Sequence, residues 1–361
     1  AYQARQLGLA FNAVLGVIMS LFLSLGAGTI LSGVGVADAL MQPAKTYLQI
    51  VGGFCILNAL IPICSSYLRA FGFSKEPLYA SIIGNVINFC LNAFFLFVLH
   101  KGVAGVATAT VISRIINLVI VVLLGAVLVK AKQHPERESN RAVMGQIIRI
   151  GLPSACETAI YNVSMTLVIR FLNQMDAQGL NVTARSYTMQ ITNFSYCVGA
   201  ALAQANAIMT GWHIGAKEYD ACDRGTKKAA VIGVIVAVIL ETVFTLCSGW
   251  IMQLFSKDPQ MVSLVGKLLA IDIVLEIGRV TNLVYGQALK TSGDAVFPVV
   301  MGACFMILCS VGGTYLFGIR LGLLAVGAYI GMTGDECVRA VGMYLRWKSG
   351  KWKEKGLVKS R

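Results

Sequence analysis

Long apolar runs, each interrupted by only a few polar positions, recur along the whole chain at residues 7–31, 47–69, 78–98, 103–129, 147–172, 184–210, 229–255, 262–289, 296–317 and 321–345. A helix rises about 1.5 Å per residue and the hydrocarbon core of a bilayer is about 30 Å thick, so about 20 residues suffice to cross it. Each run is long enough. Strand-like alternation does not persist in any of them, which predicts an all-α polytopic membrane protein of about ten helices. The one long polar interruption, KAKQHPERESNR over 130–141, leaves four runs before it and six after it. We therefore expect an N-terminal bundle at 1–129, a linker at 130–145, a C-terminal bundle at 146–345 and a basic tail at 346–361.

Composition adds that the solvent is lipid. A chain of 361 residues that is 57% hydrophobic and 13% charged, with a mean hydropathy of +0.72, has too few polar groups to cover a water-facing surface. Its net charge of +13 does not point to nucleic acid, because the bases sit between apolar runs and in the tail. Arg69, Lys75, Lys130, Lys132, Arg137, Arg141, Lys217, Arg224, Lys227, Lys228, Lys290 and the tail bases fall at alternate helix ends. By the positive-inside rule those ends, the linker and the C-terminus are expected in the cytoplasm, with the chain in the inner (plasma) membrane. Trp212, Trp347 and Trp352 at that boundary, and Trp250 near the other, read as interfacial anchors. The cysteines carry no CxxC and have no histidine at ligand spacing, so they read as packing residues, with no metal site or cofactor.

The two halves repeat. YQARQLGLAFNAVLG from Tyr2 resembles YDACDRGTKKAAVIG from Tyr219, LRAFGFSKEP resembles LKTSGDAVFP, and GVAGVA near Gly102 resembles LLAVGA near Leu323, in the same order. Parallel repeats of this kind mark transporters built from two rocking bundles. Two helices precede Tyr219 after the linker and none precedes Tyr2. The expectation is thus a six-plus-six protein of which four plus six helices are present, the first two being absent from this chain. With IIRIGLPSACE from Ile147 and GWHIGAKEYDACDRG from Gly211, the paired turns make the chain resemble the multidrug and toxic compound extrusion (MATE) family, and its tail from Asp335 resembles a bacterial branch. The resemblance covers essentially the whole chain. It implies a secondary exporter of amphipathic, often cationic compounds, coupled to sodium or protons and working by alternating access.

The family's coupling residues do not carry over. Where its paired-acid branch has an acid eight residues after the proline of the first helix of the second lobe, this chain has Tyr161, with Glu157 one turn earlier. Eleven residues before Lys290 the branch has Asp and this chain has Arg279; Asn92 stands where the first lobe often has Asp. What remains is an asymmetry: no carboxylate lies inside a run of the first half, whereas Glu157, Glu241, Asp272 and Glu276 do in the second, with Asp335 and Glu336 in the last run. A carboxylate at membrane depth lines a cavity, pairs with a base or takes up a proton.

Asp272, Glu276 and Arg279 share one helix face, and two carboxylates a turn apart oppose each other's ionisation. Asp272, Glu276, Arg279, Glu157 and Glu241 are therefore the candidates for ion coupling or substrate contact. Glu276 and Arg279 are equally well read as a structural pair, and Asp335 and Glu336 more readily pair with Arg339. Glu241 can pair with Arg185 or Arg114, and Glu157, just after Pro153, can satisfy helix-start amides. Asn85, Asn88 and Asn92 form a stripe that, with Tyr161, lines a pathway or holds helices together.

No DDxxD pair, histidine constellation or Gly-rich nucleotide loop is present, so the chain does not read as an enzyme. Two functions remain: export of amphipathic, cationic small molecules driven by protons or sodium, and, as the alternative, a flippase for lipid-linked precursors. A lipid-phosphate flippase needs several unmatched bases in its cavity, and Arg114, Arg185, Arg279 and Arg339 are partly matched by acids. Expected partners are a small-molecule substrate and the bilayer, with the protein acting as a monomer.

Overall fold

A computed structural model describes residues 2–34, 38–129, 139–176 and 179–355, and in these every regular element is helical. Most of the expected linker (130–138) and the end of the tail (356–361) lie outside the described residues. The chain divides into two compact units, Ala1–Ile147 and Ile148–Arg361.

The first unit holds α1 (Tyr2–Leu25), α2 (Ala27–Val34), α3 (Asp38–Gly53), α4 (Ile56–Ala70), α5 (Lys75–Ala93) and α6 (Gly102–Leu128). α3 and α4 together form one apolar stretch bent by 41°. α6 packs against α3, α4 and α5, and α1 against α3 and α4. Cys64, Tyr67, Leu68, Ala80 and Val121 form the core. Glu76 lies in the first turn of α5, where a carboxylate complements the amide end of the helix.

The second unit holds α7 (Asn140–Met175, begun before the boundary), α8 (Leu180–Gly215), α9 (Tyr219–Leu246), α10 (Ser248–Met252), α11 (Pro259–Thr291), α12 (Val296–Phe305) and α13 (Leu324–Lys348). α11 packs against α8, α9 and α13 and is the central helix of this unit. Asp258 fixes its start by accepting the Gln260 amide at 2.9 Å, with Pro259 as the first helical residue, where a missing N–H removes nothing.

The internal repeat is visible in hydrogen bonds. The Leu68 carbonyl accepts from the Phe73 amide at 3.0 Å and the Leu289 carbonyl from the Asp294 amide at 2.9 Å; each turn needs a glycine at positive φ, Gly72 at 89° and Gly293 at 95°. A second pair follows. α5 runs into a π-helical segment, Phe94–Val98, and α12 into two, Met306–Val311 and Thr314–Arg320. Leu99 donates to Phe94, Lys101 to Phe95 and Gly105 to Lys101; in the same way Leu321 donates to Leu316, Leu323 to Phe317 and Gly327 to Leu323. The two pseudo-repeated helical bundles are thus alike down to irregular backbone.

Five helical stretches are long and apolar enough to cross a membrane by length and composition, and the bent pair would make a sixth, among the described residues. α7, α8, α11 and α13 match them in length, at 36, 36, 33 and 25 residues, but carry buried polar residues. These are the helices that build the site below.

Two anchors read from the sequence are core residues instead. Trp347 is 1% exposed and Trp352 2%; their rings stack at 4.2 Å and 8°, because a turn at Gly350 (φ 72°) brings a 3-10 turn, Lys351–Lys355, back onto the end of α13. Each indole N–H is satisfied, by Asp223 at 2.9 Å and the Trp347 carbonyl at 3.0 Å. Trp212 and Trp250 are exposed, as an interface requires.

Asp176, in the connection between α7 and α8, accepts the Leu180 amide at 2.9 Å and the Asn181 amide at 3.0 Å, together with the Asn181 side chain. The Asn181 oxygen in turn accepts the Ala325 amide at 3.1 Å, tying the start of α8 to α13. Burial acts to raise the Asp176 pKa, but the Asn181, Leu180 and Gly179 donors outweigh it and hold the carboxyl below its ordinary value. A lowered folded-state pKa gives stability that is present above the unfolded value of about 4 and lost as pH falls through the folded one. Asp176→Asn is expected to melt below the native protein in detergent at pH 7, with the difference shrinking steadily as pH falls below about 4; a difference that does not shrink there would rule out the carboxylate as its source.

Candidate functional site

The site begins with a close approach of two helices. A Cβ on Gly278 of α11 would lie 2.8 Å from the Cys337 nitrogen and 2.9 Å from the Glu336 carbonyl carbon of α13, so only glycine lets the backbones meet there. That contact sets Arg279 and Asn282 beside Glu336. Arg279 pairs with Glu276 on its own helix and reaches Glu336 at 3.7 Å, while the Asn282 amide donates to Glu336 at 3.0 Å. Arg339 completes the network, donating to Glu336 at 2.9 Å and to Asp335 at 2.9 and 3.1 Å, and Ser310 donates to Asp335 at 3.0 Å. Gly278→Ala is expected to force the helices apart and destabilise the protein by about 1–3 kcal/mol, read as a lower melting temperature in detergent. Unchanged melting would show that the approach is not tight.

This network forms one wall of a cavity of about 510 Å³ within the second unit, lined by α7, α8, α11, α13 and the segment from Pro298 to Met306. The size is that of a small-molecule site. Its charged lining is Glu157, Arg185, Asp272, Arg279, Lys290, Glu336 and Arg339. The four long helices too polar to pass as simple spans are therefore those facing the cavity, which is where polar groups at membrane depth are tolerated.

The structure brings together Asp272, Arg279, Glu157 and Tyr161 on this lining, with Glu276 fully buried behind it. Asp272 is 2% exposed and its Oδ2 has no hydrogen-bond partner. Glu241 on α9 is fully buried off the lining, with neither carboxylate oxygen bonded; it lies in the field of Asp272, Glu276 and Arg279. The expected pairing of Glu241 with Arg185 or Arg114 is absent from the described ion pairs.

Glu157 does not cap a helix start. α7 begins at Asn140 and runs through Pro153, so Glu157 sits mid-helix and forms an ion pair with Lys290 of α11. Asn85, Asn88 and Asn92 belong to the first unit and not to this cavity: Asn88 donates to Ser113 at 3.2 Å, Asn92 to Asn88 at 3.0 Å, and Asn85 is exposed. Sequence reasoning missed Lys290 and Asn282 as cavity residues, and weighed Arg185 only as a partner for Glu241 or as a base for a lipid phosphate. Arg185 had one signal, a base inside an apolar run.

Known proteins bear on this geometry. The sequence model of one family, MatE, matches residues 1–94 and 153–316. The chain belongs to the MATE family. The transporter YisQ of Bacillus subtilis, described as uncharacterized, is 32% identical over 364 residues, covering 99% of this chain and 80% of that protein. Multidrug and toxin extrusion protein 2 of Oryctolagus cuniculus is 21% identical over 286 residues, 76% of this chain and 45% of that protein. Among solved structures, an outward-facing multidrug resistance MATE transporter superposes with a TM-score of 0.87 at 17% identity, covering 98% of this chain and 79% of that one. A MATE protein in its straight conformation gives 0.85 at 19%, covering 96% and 78%. Membership makes the protein a multi-pass membrane protein and an efflux transporter, in a family of transporters rather than enzymes.

Proposed function

We propose that the protein exports amphipathic, cationic small molecules by alternating access in exchange for protons or sodium, as a monomer in the plasma membrane with its linker and C-terminus cytoplasmic. The observation that carries this reading is Asp272. A carboxylate on a cavity wall, 2% exposed and with one oxygen unbonded, gains most by taking up a cation, because an unpaired charge at that depth is costly. A proton or sodium ion neutralises it, and a cationic substrate competes for the same group. Exchange follows from that competition.

Charge matching supports export over lipid-phosphate flipping. Of the four cavity bases, Lys290, Arg279 and Arg339 are already engaged by carboxylates, which leaves too little positive charge for a pyrophosphate head. The test is counterflow in liposomes holding the protein, with proton and sodium gradients imposed separately and a fluorescent organic cation followed. Uptake driven by one gradient, with the reciprocal ion flux, is expected. Transport indifferent to both gradients would overturn the reading.

A further inference from the structure

One cavity base is unmatched. Arg185 of α8 is 6% exposed, its Nη2 contacts the Met165 sulfur at 3.6 Å, its Nε is buried without a partner, and none of the described ion pairs includes it. A thioether is a weak acceptor, so the guanidinium sits in the cavity wall without a proper counter-ion. Such a group is costly to hold unless a partner arrives. Arg185 lies on the cavity lining, where one can.

The unmatched acid is Asp272. Its Oδ2 is buried without a hydrogen-bond partner, and neither Asp272 nor Arg185 takes part in any of the described ion pairs, so no ion pair joins the two. Tyr329 of α13, also on the lining and 2% exposed, lies in the field of both. Among the described residues, the cavity lining therefore offers one cation and one anion outside any ion pair, together with Tyr329 and with Met189, Tyr196, Met306 and Met332 as apolar and polarizable wall.

We infer that the cavity selects zwitterionic amphiphiles, a carboxylate on the substrate taken by the Arg185 fork and its ammonium by Asp272. The guanidinium offers parallel donors to the two oxygens of a carboxylate, the geometry that makes such contacts strong and directional. Arg185 is then a specificity-determining residue, and loading Asp272 with the coupling ion releases only the ammonium end. This inference rests on the exporter reading above and specifies a substrate that carries a carboxylate besides its cationic group.

The test uses three probes on the full chain in a nonionic maltoside, read by dansyl fluorescence: Nε-dansyl-lysine (zwitterion), its methyl ester (cation) and its Nα-acetyl derivative (anion). The zwitterion is expected to bind about tenfold more tightly than either partner probe. In Arg185→Gln the advantage of acid over ester should collapse to about one, and Arg185→Lys should restore part of it. Equal binding of acid and ester by the native protein overturns the inference, and needs no variant to fold. So does an acid-to-ester ratio unchanged in Arg185→Gln. Displacement of the zwitterion by dihexanoyl phosphatidylethanolamine at lower concentration than by Nε-acetyl-lysine would overturn it in favour of a lipid headgroup. Gradient-driven transport of the ester alone would leave the exporter reading standing while this inference failed.

Discussion

Asp272→Asn is expected to cripple gradient-driven export while leaving the protein folded. Asparagine is nearly isosteric with aspartate, and the native Oδ2 has no donor to lose, so the variant gives up a buried charge and no hydrogen bond at that atom. Its melting temperature in detergent should match or exceed the native one, since an uncharged amide is easier to bury than an unpaired carboxylate. Transport should suffer differently: a site that can no longer exchange a proton or sodium for a cationic substrate loses the coupling itself. Coupling free energies of about 1–3 kcal/mol correspond to about 5–150-fold effects, and a loss in that range is expected for concentrative uptake into vesicles. Downhill leakage of substrate need not change. If the variant exports with native dependence on both gradients, the carboxylate is structural, and attention moves to Glu241, which is buried with both oxygens unbonded.

Contacts within one helix were legible in advance, and contacts between helices were not. The spacing of Glu276 to Arg279, and of Asp335 and Glu336 to Arg339, places the partners on one face by helical geometry alone, and each pair is formed. The paired turns were readable for a similar reason. Leu68 to Gly72 and Leu289 to Gly293 are local motifs whose backbone demands a glycine. Glu157 and Lys290 lie far apart in sequence on different helices, and which acid meets which base there depends on how α7 and α11 are rotated and packed. Pro153 misled because proline at a run's edge suggests a helix start, whereas in a membrane helix it is tolerated inside. Trp347 and Trp352 read as interfacial because of their place near the last apolar run, but the turn at Gly350 folds one onto the other. Arg185 could be seen as a base in an apolar run. That it would lack a carboxylate could not be seen, since the absence of a partner is a property of all its neighbours at once.

Arg279→Met is expected to be the most damaging single change in the cavity wall. Glu276 is fully buried, its Oε2 is already without a partner, and its other oxygen is held by Arg279. Methionine has similar length and no charge, so it fills the space but leaves that carboxylate without a donor; breaking a buried pair from one side costs about 3–5 kcal/mol. Glu276→Gln is the contrasting case. There Arg279 keeps Glu336 at 3.7 Å, and the glutamine oxygen still accepts, so about 1–2 kcal/mol is expected, the scale of a weakened buried hydrogen bond. Removing both charges in Arg279→Met with Glu276→Leu should recover much of the loss, because no uncompensated ion remains. The order of melting temperatures in detergent should thus be native, Glu276→Gln, the double variant above Arg279→Met, and Arg279→Met last, with monodisperse yield on size exclusion following the same order. A double variant that melts below Arg279→Met would mean that the two side chains hold α11 by packing rather than by their charges.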